Sequence, residues 1–292
     1  PRELSNGICS LNENQDRLTL SCMMDIDEKG NIIGHRICEG IINVNRRMTY
    51  TAVNKIISED DEDTKNEYKD FVELFNDFKN LSHLLRKART KRGSIDFDLP
   101  ESKVILDEKG IPVDIKPYDR NDATKLIEDF MLAANETVAE DFYWQDLPFL
   151  YRVHENPDPE KMKTLAIFIN NFGYALRRKN NEVTPKELQR LLASIEGSAA
   201  EAIISRIALR SMKQARYDTS CIGHFGLAAK YYTHFTSPIR RYPDLQIHRI
   251  IKENIRGGIS KKRIDHYQTI LDNVAMQSSR MERRAEEAER ET

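Results

Sequence analysis

The stretch from Gly223 to Ile250, GHFGLAAKYYTHFTSPIRRYPDLQIHRI, gathers the residue types that hold phosphates and bases. It interleaves Phe225, Tyr231, Tyr232, Phe235 and Tyr242 with the hydroxyls of Thr236 and Ser237 and the paired Arg240 and Arg241. Ser237-Pro238 followed by a helical pattern predicts that both arginines sit in the first turn of a helix. Free backbone amides at a helix start, together with guanidinium groups, make a natural phosphate site. Cations in a first turn oppose the helix dipole, so a local anion is the simplest compensation. A solvated basic turn with buried aromatics fits the same composition. Residues 224–267 hold nine lysines and arginines against three acids, residues 59–63 read EDDED, and the whole chain carries a net charge of −2. Segregation of this kind can line a positive channel in a nearly neutral body, although charged helix faces in water account for it equally.

Those residues need a frame. The 292 residues suffice for one large domain or two modest ones. Charged residues make up 32% and hydrophobic residues 39%, with a mean hydropathy of −0.62. That balance fits a globular, surface-rich protein rather than a disordered or membrane one. No apolar run approaches the roughly 18–20 residues of a membrane helix, and the start does not resemble a signal peptide. Cys9, Cys22, Cys38 and Cys221 form no CxxC pair, so free thiols in a reducing cytoplasm are the expectation.

Along the chain, PRELSNGICSLN reads as a loop inside a larger protein. Leu18, Leu20, Cys22, Met24 and Ile26 alternate as in a half-buried strand, Asp27-Glu28-Lys29-Gly30-Asn31 reads as a turn, and residues 33–41 as the returning strand. A second hairpin is expected over residues 94–98, 102–107 and 111–117, turning at Asp107-Glu108-Lys109-Gly110. Between the two, Tyr68, Phe71, Val72, Phe75, Phe78, Leu81, Leu84 and Leu85 form one apolar helical stripe, a core face. After Asp122 helices are expected over residues 122–142, 159–176, 185–195, 198–215, 240–255 and 260–290. Thr184-Pro185-Lys186-Glu187 carries a capping signal, and the final MERRAEEAERET is polar nearly all round, which suits a connector.

Taken together these motifs resemble the RNB (ribonuclease II/R) family, of which HFTSPIRRYPDL is close to diagnostic. PRELSNGICSLN, DRLTLSC, RMTYT, RGSIDF, RNDATKLIEDFMLAAN and LRSMKQARYD follow in the family's order. SMKQA and IRRYPDL resemble its ribonuclease R branch. The likeness spans nearly the whole chain and is least distinctive at residues 141–195. It implies an α+β fold, antiparallel hairpins in the first half and mostly helices in the second, forming a catalytic domain without its N-terminal part. It also implies a monomeric, magnesium-dependent 3′–5′ exoribonuclease of the cytoplasm, not of a membrane, that threads single-stranded RNA and releases nucleoside 5′-monophosphates.

By resemblance, Arg240 corresponds to an arginine on the scissile phosphate, with Arg241 the second candidate. Ser237, in the same motif, joins the RNA-binding set. Phe97 in SIDF matches an aromatic that stacks on a 3′-terminal base, a contact open to every base because each has a π-face; core packing is the alternative for an isolated strand Phe. Tyr50 and Glu128 match positions near the ribose, where a phenol and a carboxylate can read the 2′-hydroxyl. Glu289 matches a further acid near the reacting end.

The family's metal cluster, D-x5-D-x-D-D, lies on a segment before PRELSN, and these residues hold no such pattern. Residues 1–292 by themselves are therefore expected not to hydrolyse RNA, with no metal site in this chain. Asp60 to Asp63 lack the spacing, while Asp25/Asp27 and Asp96/Asp98 each share a strand face. Two rival readings remain at this stage: an RNB-like RNA binder without nuclease activity, told apart by the upstream aspartates, and a plain interaction module, told apart by an absence of RNA affinity.

Overall fold

The computed structural model describes residues 2–95, 102–117, 120–177 and 182–291. It is a mixed α and β structure with three two-stranded antiparallel sheets among the described residues. β1 (Asp16–Ile26) pairs with β2 (Ile32–Asn43) in the register Leu18↔Ile41 and Cys22↔Ile37. β3 (Ser102–Leu106) pairs with β4 (Pro112–Pro117). The two hairpins turn on the same four residues, Asp-Glu-Lys-Gly, by the same device. Asp27 Oδ1 accepts the amides of Lys29 and Asn31 at 2.9 and 2.8 Å, and Asp107 Oδ1 accepts those of Lys109 and Ile111 at 2.8 and 2.9 Å. Gly30 and Gly110 supply the left-handed residue, at φ 80° and 79°.

The expected loop at the chain start contains a wide helical turn over Glu3–Ile8 with no buried residue. After the first hairpin come α1 (Tyr50–Asn54), a π-type turn (Lys55–Glu59), α2 (Glu62–Glu67) and α3 (Val72–Arg92). The acidic run punctuates these elements: Asp60 is left-handed at φ 58°, and Asp61 Oδ1 caps α2 by accepting the Thr64 amide. α3 ends at Gly93, where φ is 110° and a Cβ would meet the Lys186 backbone at 3.0 Å.

The helical half is built from α4 (Asp122–Trp144), α5 (Pro159–Asn170), α6 (Pro185–Ile195), α7 (Glu201–Ser211), α8 (Tyr242–Ile255) and α9 (Lys261–Glu291). The alternation rules for strands missed a third pairing, β5 (Tyr151–Val153) with β6 (Arg216–Asp218), because three residues are too few to show a period. α5 stops six residues before the expected end, just ahead of Gly173 in the left-handed region. α7 is shorter than expected because Met212 turns extended toward β6.

Three buried clusters hold these elements. One joins Val138 and Phe142 of α4, Phe149, Tyr151, Tyr217, Phe235, Ile247, Ile250 and Ile251 of α8, and Tyr267 and Leu271 of α9. The second is the α5–α6–α7 group around Leu165, Leu188 and Ile204. A third, around Val53, Ile56, Phe75 and Leu126, packs α1 and the π-type turn against α3 and α4. The described segment thus matches the α+β expectation.

Candidate nucleic-acid interface

The approach to Arg240 is an extended run, Tyr232 to Ser237, that lies in no named strand. Its buried backbone groups must still be paired, and neighbouring elements supply the partners. Tyr232 O accepts the Arg152 amide at 2.9 Å, from β5. Asn135, buried on α4, accepts the Phe235 amide at 2.9 Å and donates to the Tyr232 hydroxyl at 3.2 Å. His248 of α8 donates through Nε2 to Phe235 O at 2.7 Å. Thr233 donates its hydroxyl to Leu150 O at 2.6 Å. β5 and the residue before it, α4 and α8 therefore hold this run of chain in one path.

The run ends in a tight turn over residues 238–240, and α8 begins only at Tyr242, with Arg241 as its N-cap at φ −126° and ψ 118°. The two arginines thus precede the helix rather than opening it, which corrects the first-turn expectation. Pro243 occupies the first turn instead, a position where the missing N–H costs nothing. The anion that compensates Arg241 is Asp244, fully buried, whose Oδ1 and Oδ2 accept from Arg241 Nη2 and Nε at 2.7 and 2.9 Å. Oδ1 also accepts the Ser237 amide at 2.8 Å. Placing cations at a helix start costs about 0.3–1 kcal/mol. Burying Ile247, Ile250 and Ile251, at roughly 1.5–3 kcal/mol each, outweighs that.

Arg240 and Arg241 line a cleft of about 730 Å³ together with Tyr217, Tyr242, Glu282 and Glu289. α9 forms the far wall. It is pinned by Arg152, which meets Glu282 at 2.6 Å and stacks 4.8 Å from the Tyr217 ring centre. Ser279 accepts the Tyr217 amide at 2.9 Å, and Glu286 accepts from Gln214 at 3.0 Å. Among the described residues lining the cleft, Arg240 is the cation with no ion pair, and it is exposed. Burial pushes the Tyr217 phenol up to about 12 and the His234 imidazole down to about 2. Both are neutral near pH 7, and the Tyr217 hydroxyl and His234 Nδ1 share one hydrogen bond at 2.9 Å. The cleft floor is held by neutral groups, and the free positive charge sits at its edge.

The other expected residues lie elsewhere. Tyr50 opens α1, about half exposed at 49%, behind the Thr49 cap that accepts the Ala52 amide at 3.2 Å. Glu128 sits on α4, against which α1 packs, and Arg120 donates to its carboxylate at 3.2 Å. Neither lines the Arg240 cleft. Phe97 and the Asp96/Asp98 pair lie outside the described residues. Asp25 is in β1, and Asp27 spends its carboxylate on its own turn, where hydrogen bonds from Asn31 hold it below the usual range. Among the described residues no group of three or more His, Cys, Asp or Glu is placed to hold a metal ion. The described side chains do not build a magnesium site. Sequence reasoning missed Asp244 and Asn135. The first had a signal, an acid three residues after Arg241 in RRYPD; the second had none.

This chain belongs to the RNB family, whose RNB domain profile matches residues 1–257. Over its full length it is 44% identical to ribonuclease R 1 of Lactococcus lactis, and over 99% of its length 45% identical to ribonuclease R of Thermotoga maritima. It spans 36% and 41% of those two proteins. Ribonuclease R of Mycoplasma genitalium, solved in complex with ribose-methylated single-stranded RNA, superposes with a TM-score of 0.91 at 28% identity. That match covers all of this chain and 45% of the solved one.

Proposed function

We propose that residues 1–292 form part of the RNB catalytic domain of a 3′–5′ exoribonuclease that hydrolyses single-stranded RNA processively to nucleoside 5′-monophosphates. The carrying observation is Arg240, an exposed cation without an ion pair among the described residues, on a turn tied to α8 through Asp244 and approached by a run held from α4 and α8, at the edge of a cleft. The identity to ribonuclease R proteins supports the same reading. In it, Arg240 donates to the phosphoryl oxygens at the scissile bond, where negative charge builds in the transition state. A planar guanidinium suits two oxygens better than a point charge does. Arg241 and Ser237 hold the turn, Glu289 faces it from α9, and Tyr50 and Glu128 read the ribose of the 3′-terminal region. Phe97 stacks on a terminal base.

The family implies a divalent metal, and magnesium is the proposed one. Its ligands are assigned to residues other than those described. The protein is proposed to act as a monomer in the bacterial cytoplasm. The test is direct: the complete protein, given magnesium and a 5′-labelled RNA, should shorten it from the 3′ end and release nucleoside 5′-monophosphates. Internal cuts, or binding with no cleavage, would sink the reading; the second result would favour an RNB-like RNA binder.

A further inference from the structure

The turn bearing Arg240 is tied at both ends to one side chain. Asp244 Oδ1 takes the Ser237 amide at 2.8 Å on one side and Arg241 Nη2 at 2.7 Å on the other, while Oδ2 takes Arg241 Nε at 2.9 Å. The Arg241 amide closes the loop by donating to Ser237 O at 3.1 Å. Only Pro238, Ile239 and Arg240 lie between the tied residues, and the proline ring fixes its own φ near −65°. The carboxylate is fully buried and sits in the first turn of α8, where the helix dipole favours a negative charge.

A buried ion pair is by itself a poor stabiliser, because desolvation offsets most of its attraction. What a two-point guanidinium–carboxylate contact supplies is orientation. Arg241 has two donors committed to Asp244, which leaves Arg240 as the arginine free to meet a phosphate. Resting on the exoribonuclease reading, we propose that Asp244 is a positioning residue of the reaction: through Ser237 and Arg241 it holds the turn that aims Arg240 into the cleft. Asp244 touches no substrate in this account. Its whole effect on the chemistry passes through Arg240.

That restriction gives the test. In the complete protein, single-turnover cleavage at saturating RNA, equilibrium RNA binding and thermal unfolding are measured for wild type, Asp244→Asn, Arg240→Ala and the double variant. Misplacing a positioned group by about 1 Å costs on the order of 10²-fold in rate, so Asp244→Asn should slow cleavage roughly 10- to 100-fold. Its RNA affinity should stay within about threefold, since the interaction lost acts in the transition state. In the Arg240→Ala background the same substitution should add less than about twofold, the non-additivity expected of residues that act as a unit. A purely structural aspartate would give losses that multiply, and that result overturns the proposal; so does an unchanged cleavage rate in Asp244→Asn. Should Asp244→Asn fail to fold, Arg241→Lys takes its place: it keeps the charge pair but loses the two-point contact, and its loss must likewise disappear in the Arg240→Ala background or the proposal falls. A wild type that cleaves no RNA overturns the exoribonuclease reading and this assignment together. A wild type that cleaves while the losses multiply overturns the assignment alone.

Discussion

Two regions carry the residues assigned to RNA, and they are built in opposite ways. The Arg240 turn rests on a polar scaffold: Asp244 ties the turn itself, and Asn135 and His248 hold the Phe235 backbone that leads into it. Tyr50 and Glu128 sit on the outer side of a small apolar cluster, one at the start of a five-residue helix and the other mid-helix, engaged with Arg120. A group that must meet a transition state has to be held before the substrate arrives, which favours a buried brace. A group that reads a ribose hydroxyl contributes one hydrogen bond and gains little from such rigidity. On the proposed reading, the construction of each region suits its task, chemistry at the first and selection at the second.

The largest effect should come from removing the free cation. Arg240→Ala in the complete protein should lower the single-turnover rate about 10²–10³-fold, the usual loss for a donor to developing charge, with a much smaller change in RNA affinity. Arg240→Lys should recover only part of it, because an ammonium lacks the planar pair of donors. Equal losses in rate and affinity would make Arg240 a backbone clamp and erase the contrast.

Next in size is Glu128→Ala. A hydrogen bond to a charged group is worth about 1.5–3 kcal/mol, so the preference for RNA over a matched 2′-deoxy strand should shrink roughly tenfold or more. Tyr50→Phe removes a neutral hydroxyl, worth about 0.5–1.5 kcal/mol, and should narrow the same preference only a few-fold. Turnover on RNA by both variants should stay far above that of Arg240→Ala. An unchanged RNA preference in both would mean that neither side chain touches the ribose.

Acid should separate the regions without any substitution. Burial lowers the pKa of His154, His224, His234 and His248, with His224 near 3 and His234 near 2. The folded protein keeps these rings neutral, while the unfolded chain takes up protons below about 6.5. Their depressed pKa values therefore make stability complete above that pH and erode it as pH falls toward the folded values, by up to about 1.4 kcal/mol per ring per unit. All four belong to or adjoin the Arg240 scaffold, and none is among the buried residues of the cluster under Tyr50. Hydrogen exchange compared at pH 7.5 and 5.5 should show protection lost around residues 232–244 before residues 50–57. Loss in the reverse order would contradict the placement of the buried histidines.

Much of the frame was legible in the residues. The Asp-Glu-Lys-Gly turns and the Thr184 cap are local signals, and each formed where the pattern put it; the apolar stripe formed from Val72 onward, with Tyr68 and Phe71 in the turn ahead of α3. What the two hairpins do afterwards was not legible. Leu20, Cys22 and Ile37 of the first pack on the main cluster, whereas Val104, Val113 and Ile115 of the second are exposed. Identical turn chemistry says nothing about the surface a strand later meets. The site divides similarly. RRYPD drew attention to its arginines, and its aspartate went unread because a carboxylate beside two cations suggests charge balance rather than a brace. Asn135 lies 100 residues before its partner Phe235, so no spacing rule could have joined them.

One experiment bears most directly on the division of labour. Single-turnover cleavage is measured for wild type, Arg240→Ala and Glu128→Ala on an all-RNA strand and on the same strand with 2′-deoxy nucleotides at its 3′ end. Arg240→Ala should slow both substrates by the same large factor and leave their ratio intact, while Glu128→Ala should bring the two rates together. A ratio that collapses in Arg240→Ala, or that survives in Glu128→Ala, would contradict that division.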